Sequence, residues 1–384
     1  MVNMAAALYI HIPFCIRKCS YCDFYSVKAD DFNITQFLNM LTNEMRLYSE
    51  NSSIKDFGFR TLYIGGGTPS VLSSRQIASL LDKLRDSFRL SENAEITIEV
   101  NPETVDLNRL TEYRETGINR VSIGVQSFID DDLRVLKRIH NAATAVKCVE
   151  LAHLAGFENI SLDLMYAIPG QTLERWLRNI DMAVALSPNH VSFYGLTIED
   201  GTLIQKQLRQ GRYSGIAEDV EREMYLQGVD KLGKSNIRRY EVSNAALPGY
   251  ECIHNAMYWD GSPYLGLGPS AHSFWNNQRQ WNTSSIDTYC TVLQKSKLPV
   301  QNRETLSIEQ QIMESIMLGL RREAGVDMDA FRRRFNIDFA EHCRNTIELL
   351  MAYEEPLIHI DGHQLKLTPR GFVLYDEILY KFVD

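Results

Sequence analysis

Residues 8–22 of this 384-residue chain, LYIHIPFCIRKCSYC, give the strongest indication of its fold. It begins with a short apolar run typical of a buried strand, LYIHI, and continues into three cysteines spaced C-x3-C-x2-C. Cys15, Cys19 and Cys22 therefore follow the strand on one loop, where three thiolates can converge on one point. This is the spacing of metal ligands.

Similar apolar runs recur along the chain, so the first predicted strand belongs to a series. The predicted strands are LYIHI (8–12), TLYIGGG (61–67), EITIEV (95–100), RVSIGV (120–125), ISLDLMY (160–166) and VSFYGL (191–196). Stretches between them, such as FLNMLTNEMRLY and ATAVKCVELAHLAG, carry apolar residues every three or four positions, as amphipathic helices do. The alternation predicts parallel βαβ units that form an open (β/α)6 partial barrel, with its chemistry at the carboxyl ends of the strands.

The chain is predicted to contain a second, smaller domain. The alternation fades past residue 200, and from about Ser307 the sequence is typical of helices, followed by a strand pair at LIHI and QLKL. We predict a core domain with its extension at residues 1–300 and a mainly helical, winged-helix-like domain at 301–384. A winged helix can read DNA or act as a packing and cover module. The net charge of -9 favours the second interpretation and argues against nucleic acid as a partner.

Composition predicts an ordinary soluble protein of the cytoplasm. Hydrophobic residues make up 45% of the chain, and no stretch approaches the length of a membrane span. The apolar run near the N-terminus has no Lys or Arg before it and soon meets His11 and Pro13, which makes it a poor signal peptide. Seven cysteines, three of them within eight residues, argue against a disulfide framework.

The number of local cysteines bears on the kind of metal site. Zinc sites usually take four ligands, whereas three thiolates would leave one iron of a [4Fe-4S] cluster without a protein ligand. Phe24 stands where a fourth local cysteine would be expected. The alternative is a structural zinc whose fourth ligand is His11 or Asp23.

Polar or glycine-rich positions also follow the other predicted strands. Gly65-Gly66-Gly67 follows the second strand, where backbone N–H groups can approach a ligand, although such a run taken alone is more often a sharp turn. Glu99 alternates with Ile98 and Val100, so its carboxylate is expected to face the barrel lumen, either in a structural ion pair or bound to a ligand. Four further residues repeat this placement: Gln126, Asp163, Tyr194 and Gly195.

The segment HIPFCIRKCSYCDF resembles the radical-SAM signature. This resemblance implies that three cysteines hold a [4Fe-4S] cluster whose open iron binds S-adenosylmethionine, the source of a 5'-deoxyadenosyl radical. The blocks GGGTPS, IEVNPE, GVQSF, LKRIHNA, LDLMYAIPGQT and GLGPSAHSF extend the resemblance to the oxygen-independent coproporphyrinogen III oxidase-like family, which includes the HemW-type haem chaperones.

Matching these blocks residue by residue implies the cofactor contacts. Four residues would touch the cluster-bound S-adenosylmethionine: Tyr9, Gly66, Glu99 and His272. Seven match positions that surround a second S-adenosylmethionine in the dehydrogenase members of the family: Tyr21, Gly67, Thr68, Gln126, Arg138, Asp163 and Gly195. Whether this chain keeps a second S-adenosylmethionine is left open by the sequence.

Two features separate the chain from the coproporphyrinogen dehydrogenases. Phe24 replaces a further cysteine of those enzymes, and Cys252–Trp259 contains H-N-x-x-Y-W, which resembles the block of the haem chaperones. Its imidazole and aromatic rings suit an iron porphyrin, with His254 as the candidate axial ligand; the alternative is a hydrogen-bonded structural histidine.

The resemblance therefore implies a haem chaperone, with oxidative decarboxylation of coproporphyrinogen as the competing activity. Its implied partners are haem as cargo, a haem-acceptor protein and an electron donor such as flavodoxin or ferredoxin. The resemblance is also compatible with a homodimer and with peripheral contact to a membrane.

Overall fold

The computed structural model describes residues 5–51, residue 54 and residues 57–383. The strands are β1 (Ala5–Ile12), β2 (Phe14–Cys15), β3 (Val27–Lys28), β4 (Gly58–Gly66), β5 (Arg89–Val100), β6 (Arg120–Gln126), β7 (Ile160–Tyr166), β8 (His190–Gly195), β9 (Arg238–Glu241), β10 (Asn244–Ala246), β11 (Tyr264–Leu267), β12 (His272–Trp275), β13 (Gln278–Asn282), β14 (Val300–Thr305), β15 (Val326–Asp327), β16 (Ile358–Asp361) and β17 (Gln364–Leu367).

Helices separate most of these strands. They are α1 (Asp31–Ser49), α2 (Ser74–Ser87), α3 (Leu107–Glu115), α4 (Asp130–Val135), α5 (Ala142–Leu154), α6 (Leu173–Ala185), α7 (Leu203–Arg209), α8 (Glu218–Lys234), α9 (Ile253–Trp259), α10 (Ile286–Gln294), α11 (Ile308–Leu320), α12 (Met328–Phe335), α13 (Phe339–His342), α14 (Arg344–Met351), α15 (Pro369–Val373) and α16 (Tyr375–Val383). Many begin at a side-chain cap; Ser73, for example, forms a capping box with Gln76 at the start of α2.

The six predicted strands are confirmed as the parallel centre of one sheet. They are β1, β4, β5, β6, β7 and β8, and each pairs in parallel with the next. Strand residues such as Leu8, Ile10, Leu62 and Ile64 have no exposed surface, because helices cover the sheet. The predicted (β/α)6 partial barrel with a smaller C-terminal helical part is thus confirmed.

The sheet also extends beyond the predicted strands. Among the described residues it has twelve strands in the order β14-β13-β12-β11-β1-β4-β5-β6-β7-β8-β10-β9. β11 is parallel to β1, whereas β12–β14 and the pair β9–β10 join in antiparallel fashion. Sequence reasoning missed these six strands because they are short and several, such as QRQWN and VQNRET, are polar and lack a clear apolar alternation.

A buried carboxyl group fixes the extension against the barrel. Glu44 of α1 accepts hydrogen bonds from Gly268 N at 2.9 Å, Asn282 Nδ2 at 2.7 Å and Tyr289 OH at 2.5 Å. Burial raises the pKa of Glu44 to about 7, and the three hydrogen bonds oppose this rise because they favour the ionised carboxylate. This cluster therefore positions β11 and β13, which later form one wall of a cavity.

The C-terminal residues form the winged-helix outline. Helices α11 to α14 are followed by the β16–β17 hairpin, and the three short strands form a sheet in the order β15-β17-β16. This part packs on the core through Arg239, which lies 3.5 Å from the centre of the Phe372 ring and 2.5 Å from Glu323 Oε2. A backbone bond from Val242 N to Arg321 O, 2.9 Å long, adds to this contact.

None of the helices within residues 5–51, 54 and 57–383 is both long and apolar enough to cross a membrane.

Candidate cofactor site

The three signature cysteines lie together at the carboxyl ends of the parallel strands. Cys15, Cys19 and Cys22 are half-buried and line one cavity of about 530 Å3, called here the first cavity. Thr68 Oγ1 lies 3.6 Å from Cys15 Sγ, and Arg138 donates to Cys19 Sγ at 3.3 Å. Burial raises the pKa of the Cys22 thiol to about 11. The nearby Cys19 and Cys15 thiols contribute to this rise. A bound cation would reverse that effect.

The arrangement of the thiols fits a cluster better than a single ion. Within the residues that the structure describes, no group of three or more His, Cys, Asp or Glu side chains is gathered closely enough to bind one metal ion. Four thiolates around one zinc lie about 3.8 Å apart, as Zn–S bonds of about 2.3 Å in a tetrahedron require. A [4Fe-4S] cluster instead binds each thiolate to a different iron, so three cysteines that line one cavity without gathering at a single point suit it.

The glycine run holds the cysteine loop in place. Gly67 N donates to Ile12 O at 2.8 Å and Thr68 N donates to Phe14 O at 2.7 Å. A Cβ atom on Gly67 would lie 2.6 Å from Phe14 O, so only glycine permits this approach. The run therefore fixes the start of the cysteine loop as well as lining the first cavity.

Two carboxyl groups face the first cavity. Glu99 accepts from Tyr63 OH at 3.0 Å and from Gly66 N at 3.1 Å, while Asp163 accepts from Ser122 Oγ at 3.0 Å. Burial and, to a smaller extent, the negative charge of Asp163 raise the pKa of Glu99 to about 7. Burial likewise raises the pKa of Asp163 to about 6. A ligand with a sulfonium and an amine suits such a wall, because each positive charge favours the ionised carboxylates.

The first cavity is also lined by a strained residue, Gln126, and a buried cation, Arg138. Gln126 has a φ of 65°, an uncommon conformation for a residue other than glycine, and interrupts the register of β6 with β7. Arg138 donates to Gly124 O at 2.8 Å in addition to its contact with Cys19. Both side chains are thereby held at the cavity wall.

The structure divides the eleven expected S-adenosylmethionine contacts between two cavities. Nine of them line the first cavity: Tyr21, Gly66, Gly67, Thr68, Glu99, Gln126, Arg138, Asp163 and Gly195. Tyr9 and His272 instead line a neighbouring cavity of about 580 Å3, called here the second cavity. Asp23 and Phe24 border both. The two spaces are therefore adjacent, with the residue after Cys22 and its neighbour between them.

The structure does not bring the haem-ligand candidate His254 to either cavity. Its side chain is buried with 2% exposure, and both ring nitrogens have partners, Thr61 Oγ1 at 2.8 Å and Tyr258 OH at 3.0 Å. Burial, followed by the charge of Arg120, lowers the pKa of His254 to about 3. The ring lies behind Tyr63 and Tyr9, with centroid distances of 5.1 and 6.5 Å. In this conformation it is a structural histidine, the alternative interpretation of the motif.

The second cavity is largely aromatic. The rings of Tyr258, Trp259, Tyr264 and Phe274 line it, together with Met317 and Leu318 of α11, so the C-terminal part closes one side. Arg279 of β13 forms an ion pair with Glu314 of α11 at this junction. Sequence analysis identified Tyr258 and Trp259 as ring partners for a porphyrin but missed Tyr264 and Phe274, which lie on the unpredicted strands β11 and β12.

Tyr63 is a first-cavity residue that sequence reasoning missed. Its hydroxyl orients Glu99, and it stands between the fully buried Leu62 and Ile64 of β4. The alternation argument that identified Glu99 in β5 therefore also identifies Tyr63 in β4.

Comparison with known protein families gives two matches along the chain. The model of the Radical SAM superfamily matches residues 9–183, and that of the HemN C-terminal domain matches residues 306–374.

Curated relatives match over most of their length. Heme chaperone HemW of Lactococcus lactis is 34% identical over 383 residues, which cover 100% of this chain and 98% of the relative. Heme chaperone HemW of Escherichia coli is 40% identical over 274 residues, 69% of each chain. The mitochondrial radical S-adenosyl methionine domain-containing protein 1 of Danio rerio is 32% identical, with 97% of this chain and 86% of the relative covered.

Among solved structures, coproporphyrinogen III oxidase HemN from Escherichia coli, a radical SAM enzyme, superimposes with a TM-score of 0.86. The match covers 99% of this chain and 90% of that one at 23% identity. At this identity the likeness shows the fold.

Proposed function

The chain belongs to the HemW family within the radical-SAM superfamily, and from that premise we propose that it is a haem chaperone, which binds haem and transfers it to an acceptor protein. The observation that carries this proposal is the 34% identity with a heme chaperone HemW across all of the chain. The aromatic second cavity, next to the cysteine loop, supports it.

We propose that Cys15, Cys19 and Cys22 hold a [4Fe-4S] cluster and that the nine carried-over residues of the first cavity hold S-adenosylmethionine. When bound, the cluster supplies single-electron chemistry at the sulfonium. The chain's own contribution is to orient the ligand: Tyr63 and the Gly66 N–H fix Glu99, and Ser122 fixes Asp163. The two carboxylates face the space that a cationic ligand would fill.

The partners follow from the same proposal. A reduced flavodoxin or ferredoxin would deliver the electron, and the cysteine loop offers the exposed Arg17 and Lys18 to an acidic surface. The C-terminal residues 301–384 would act as a packing and cover module, and the cytoplasm would be the place of action.

The test is an absorbance titration of the anaerobically reconstituted protein with haem. Saturable binding with a distinct Soret band, followed by loss of that band to an apo-acceptor such as a haem-free cytochrome, is the expected result. In a parallel arm the same protein receives coproporphyrinogen, S-adenosylmethionine and a working reductant. Absence of haem binding together with formation of protoporphyrinogen would replace the chaperone by the decarboxylating enzyme.

A further inference from the structure

The second cavity has the size and lining of an organic ligand site. Its volume of about 580 Å3 lies inside the range of about 300–1,000 Å3 over which proteins bind such ligands. Its walls combine aromatic and apolar side chains with a smaller set of polar ones, which includes the carboxyl groups of Asp23 and Glu314. Its position between the core sheet and α11 matches the preference of such sites for junctions between domains. The ligand it suits is large, flat and mainly apolar.

The polar groups of this cavity further restrict the class of ligand that it suits. They include two imidazoles and one guanidinium, Arg279 of β13. The imidazole of His11 is buried, and its ring nitrogens are paired with Tyr9 OH at 3.1 Å and Tyr25 O at 3.2 Å, which leaves His272 at the start of β12 as the open imidazole. An imidazole is a ligand for iron, and a guanidinium pairs with carboxylates through two parallel hydrogen bonds. A planar macrocycle that carries iron at its centre and carboxylates at its edge uses both groups at once.

His272 is free to bind a metal ion, in contrast to His254. It is exposed, and neither of its ring nitrogens has a hydrogen-bond partner among the residues that the structure describes. Its ring stacks on Trp281 with a centroid distance of 5.8 Å and an interplanar angle of 24°. The contact with Trp281 orients the imidazole without occupying its nitrogens.

Arg279 connects this cavity to the C-terminal part of the chain. The guanidinium pairs with Glu314 of α11 and donates to the hydroxyl of Tyr264. A carboxylate bound in the cavity would compete with Glu314 for the same guanidinium. Arg279 is therefore placed to bind an acidic edge of a ligand.

Phe24 lies where the second cavity adjoins the first cavity. Its ring is 64% exposed and borders both spaces, as does Asp23. A ring bound in the second cavity would lie next to the loop that carries Cys22.

We propose that the second cavity is the haem site of this chain, with the imidazole of His272 as an axial iron ligand and Arg279 as the partner of a propionate. This inference rests on the proposed haem-binding function and names the site for it. It also separates His272 from the S-adenosylmethionine contacts, with which sequence resemblance grouped it.

The experiment titrates the cluster-loaded protein with haem under anaerobic conditions in four forms: wild type, His272→Gly, Arg279→Gln and the control His363→Ala. His363 is an exposed histidine of the C-terminal hairpin turn, distant in sequence from both cavity walls. We expect His272→Gly to weaken haem binding about tenfold or more and to shift the Soret band, since a lost ligand contact of ordinary strength has that effect. Added imidazole should restore the band. Arg279→Gln should weaken binding severalfold without a band shift, and His363→Ala should match wild type.

A second measurement distinguishes a role of His272 in haem binding from a role in S-adenosylmethionine binding. S-adenosylmethionine affinity, followed by the change it causes in the electron paramagnetic resonance of the reduced cluster, should be the same in His272→Gly as in wild type. Weaker S-adenosylmethionine binding with an unchanged Soret band would overturn the inference and leave the chaperone function standing. No saturable haem binding by the wild-type protein would overturn the function itself.

Discussion

The two cavities are built from the chain in different ways. The first takes much of its wall from the carboxyl ends of consecutive parallel strands, so many of its residues lie in or just after a recognisable apolar run. Glu99 and Asp163, for example, lie within β5 and β7. The second collects Tyr9, Phe24, Trp259, His272 and Met317 from segments that are distant in sequence and belong to different elements. A parallel barrel brings successive strand ends to one rim by its topology, whereas the second cavity exists only where the extension meets the C-terminal helices.

A continuous motif does not bring all of its residues to one site. H-N-x-x-Y-W is one continuous segment, yet helix α9 sends its parts to different environments: His254 into the core and Tyr258 and Trp259 to the second cavity. Glu95 fixes this orientation by accepting hydrogen bonds from the N–H groups of Ile253 at 3.1 Å and His254 at 3.0 Å. Helix α9 therefore does not present all residues of the motif to one ligand.

The largest effect is expected from removing a cluster ligand in the first cavity while leaving the second cavity intact. Cys19→Ala removes one of three iron ligands, so the variant should lose essentially all cluster iron after anaerobic reconstitution, because two thiolates on the loop cannot hold the cluster. Its haem titration should stay close to wild type, since Cys19 does not line the second cavity. Iron and sulfide analysis measures the first outcome, and Cys148→Ala, a buried cysteine of α5, is the control. A full complement of cluster iron in Cys19→Ala would contradict the cluster assignment.

The second prediction compares the two histidines. His254→Ala leaves a buried cavity and removes the partners of Thr61 and Tyr258, so we expect a loss of about 2–4 kcal/mol in the free energy of unfolding. His272→Ala affects an exposed ring and should change it by less than about 0.5 kcal/mol. Denaturant titrations of both variants measure the difference. Equal stabilities would contradict the structural role of His254.

The smallest effect is a pH dependence of stability that belongs to the first cavity. The pKa of Glu99 is raised from 4.5 to about 7 in the folded protein, first by burial, so the folded state holds this proton more tightly than the unfolded state. The stabilisation is therefore present below pH 4.5 and is lost as pH rises towards 7. We expect the cofactor-free wild-type protein to lose about 1–3 kcal/mol relative to Glu99→Gln across this window.

Chemical denaturation at several pH values between 4.5 and 8 measures this difference, with Glu348→Gln, an exposed carboxyl group of α14, as the matched control. Parallel pH profiles of wild type and Glu99→Gln would show that Glu99 keeps an ordinary pKa in the fold.

Local patterns in the sequence determined the parallel core and much of the first cavity. Apolar runs defined the six strands, the spacing of Cys15, Cys19 and Cys22 defined the cysteine loop, and alternation in β5 directed Glu99 towards the lumen. Such inferences succeed because strand alternation and loop spacing involve residues near one another in the chain, whose geometry the backbone dictates.

The other features of the fold and the site depend on the tertiary structure. It added β9–β14, several of which are polar and form strands because a neighbouring strand supplies their hydrogen bonds. It also placed Arg279 beside Glu314 across 35 residues of chain. It also buried His254 between Thr61 and Tyr258 and left His272 exposed in an aromatic cavity. Burial and hydrogen-bond partners come from segments distant in sequence, so a motif alone specifies which side chains are present but not which of them are free to bind.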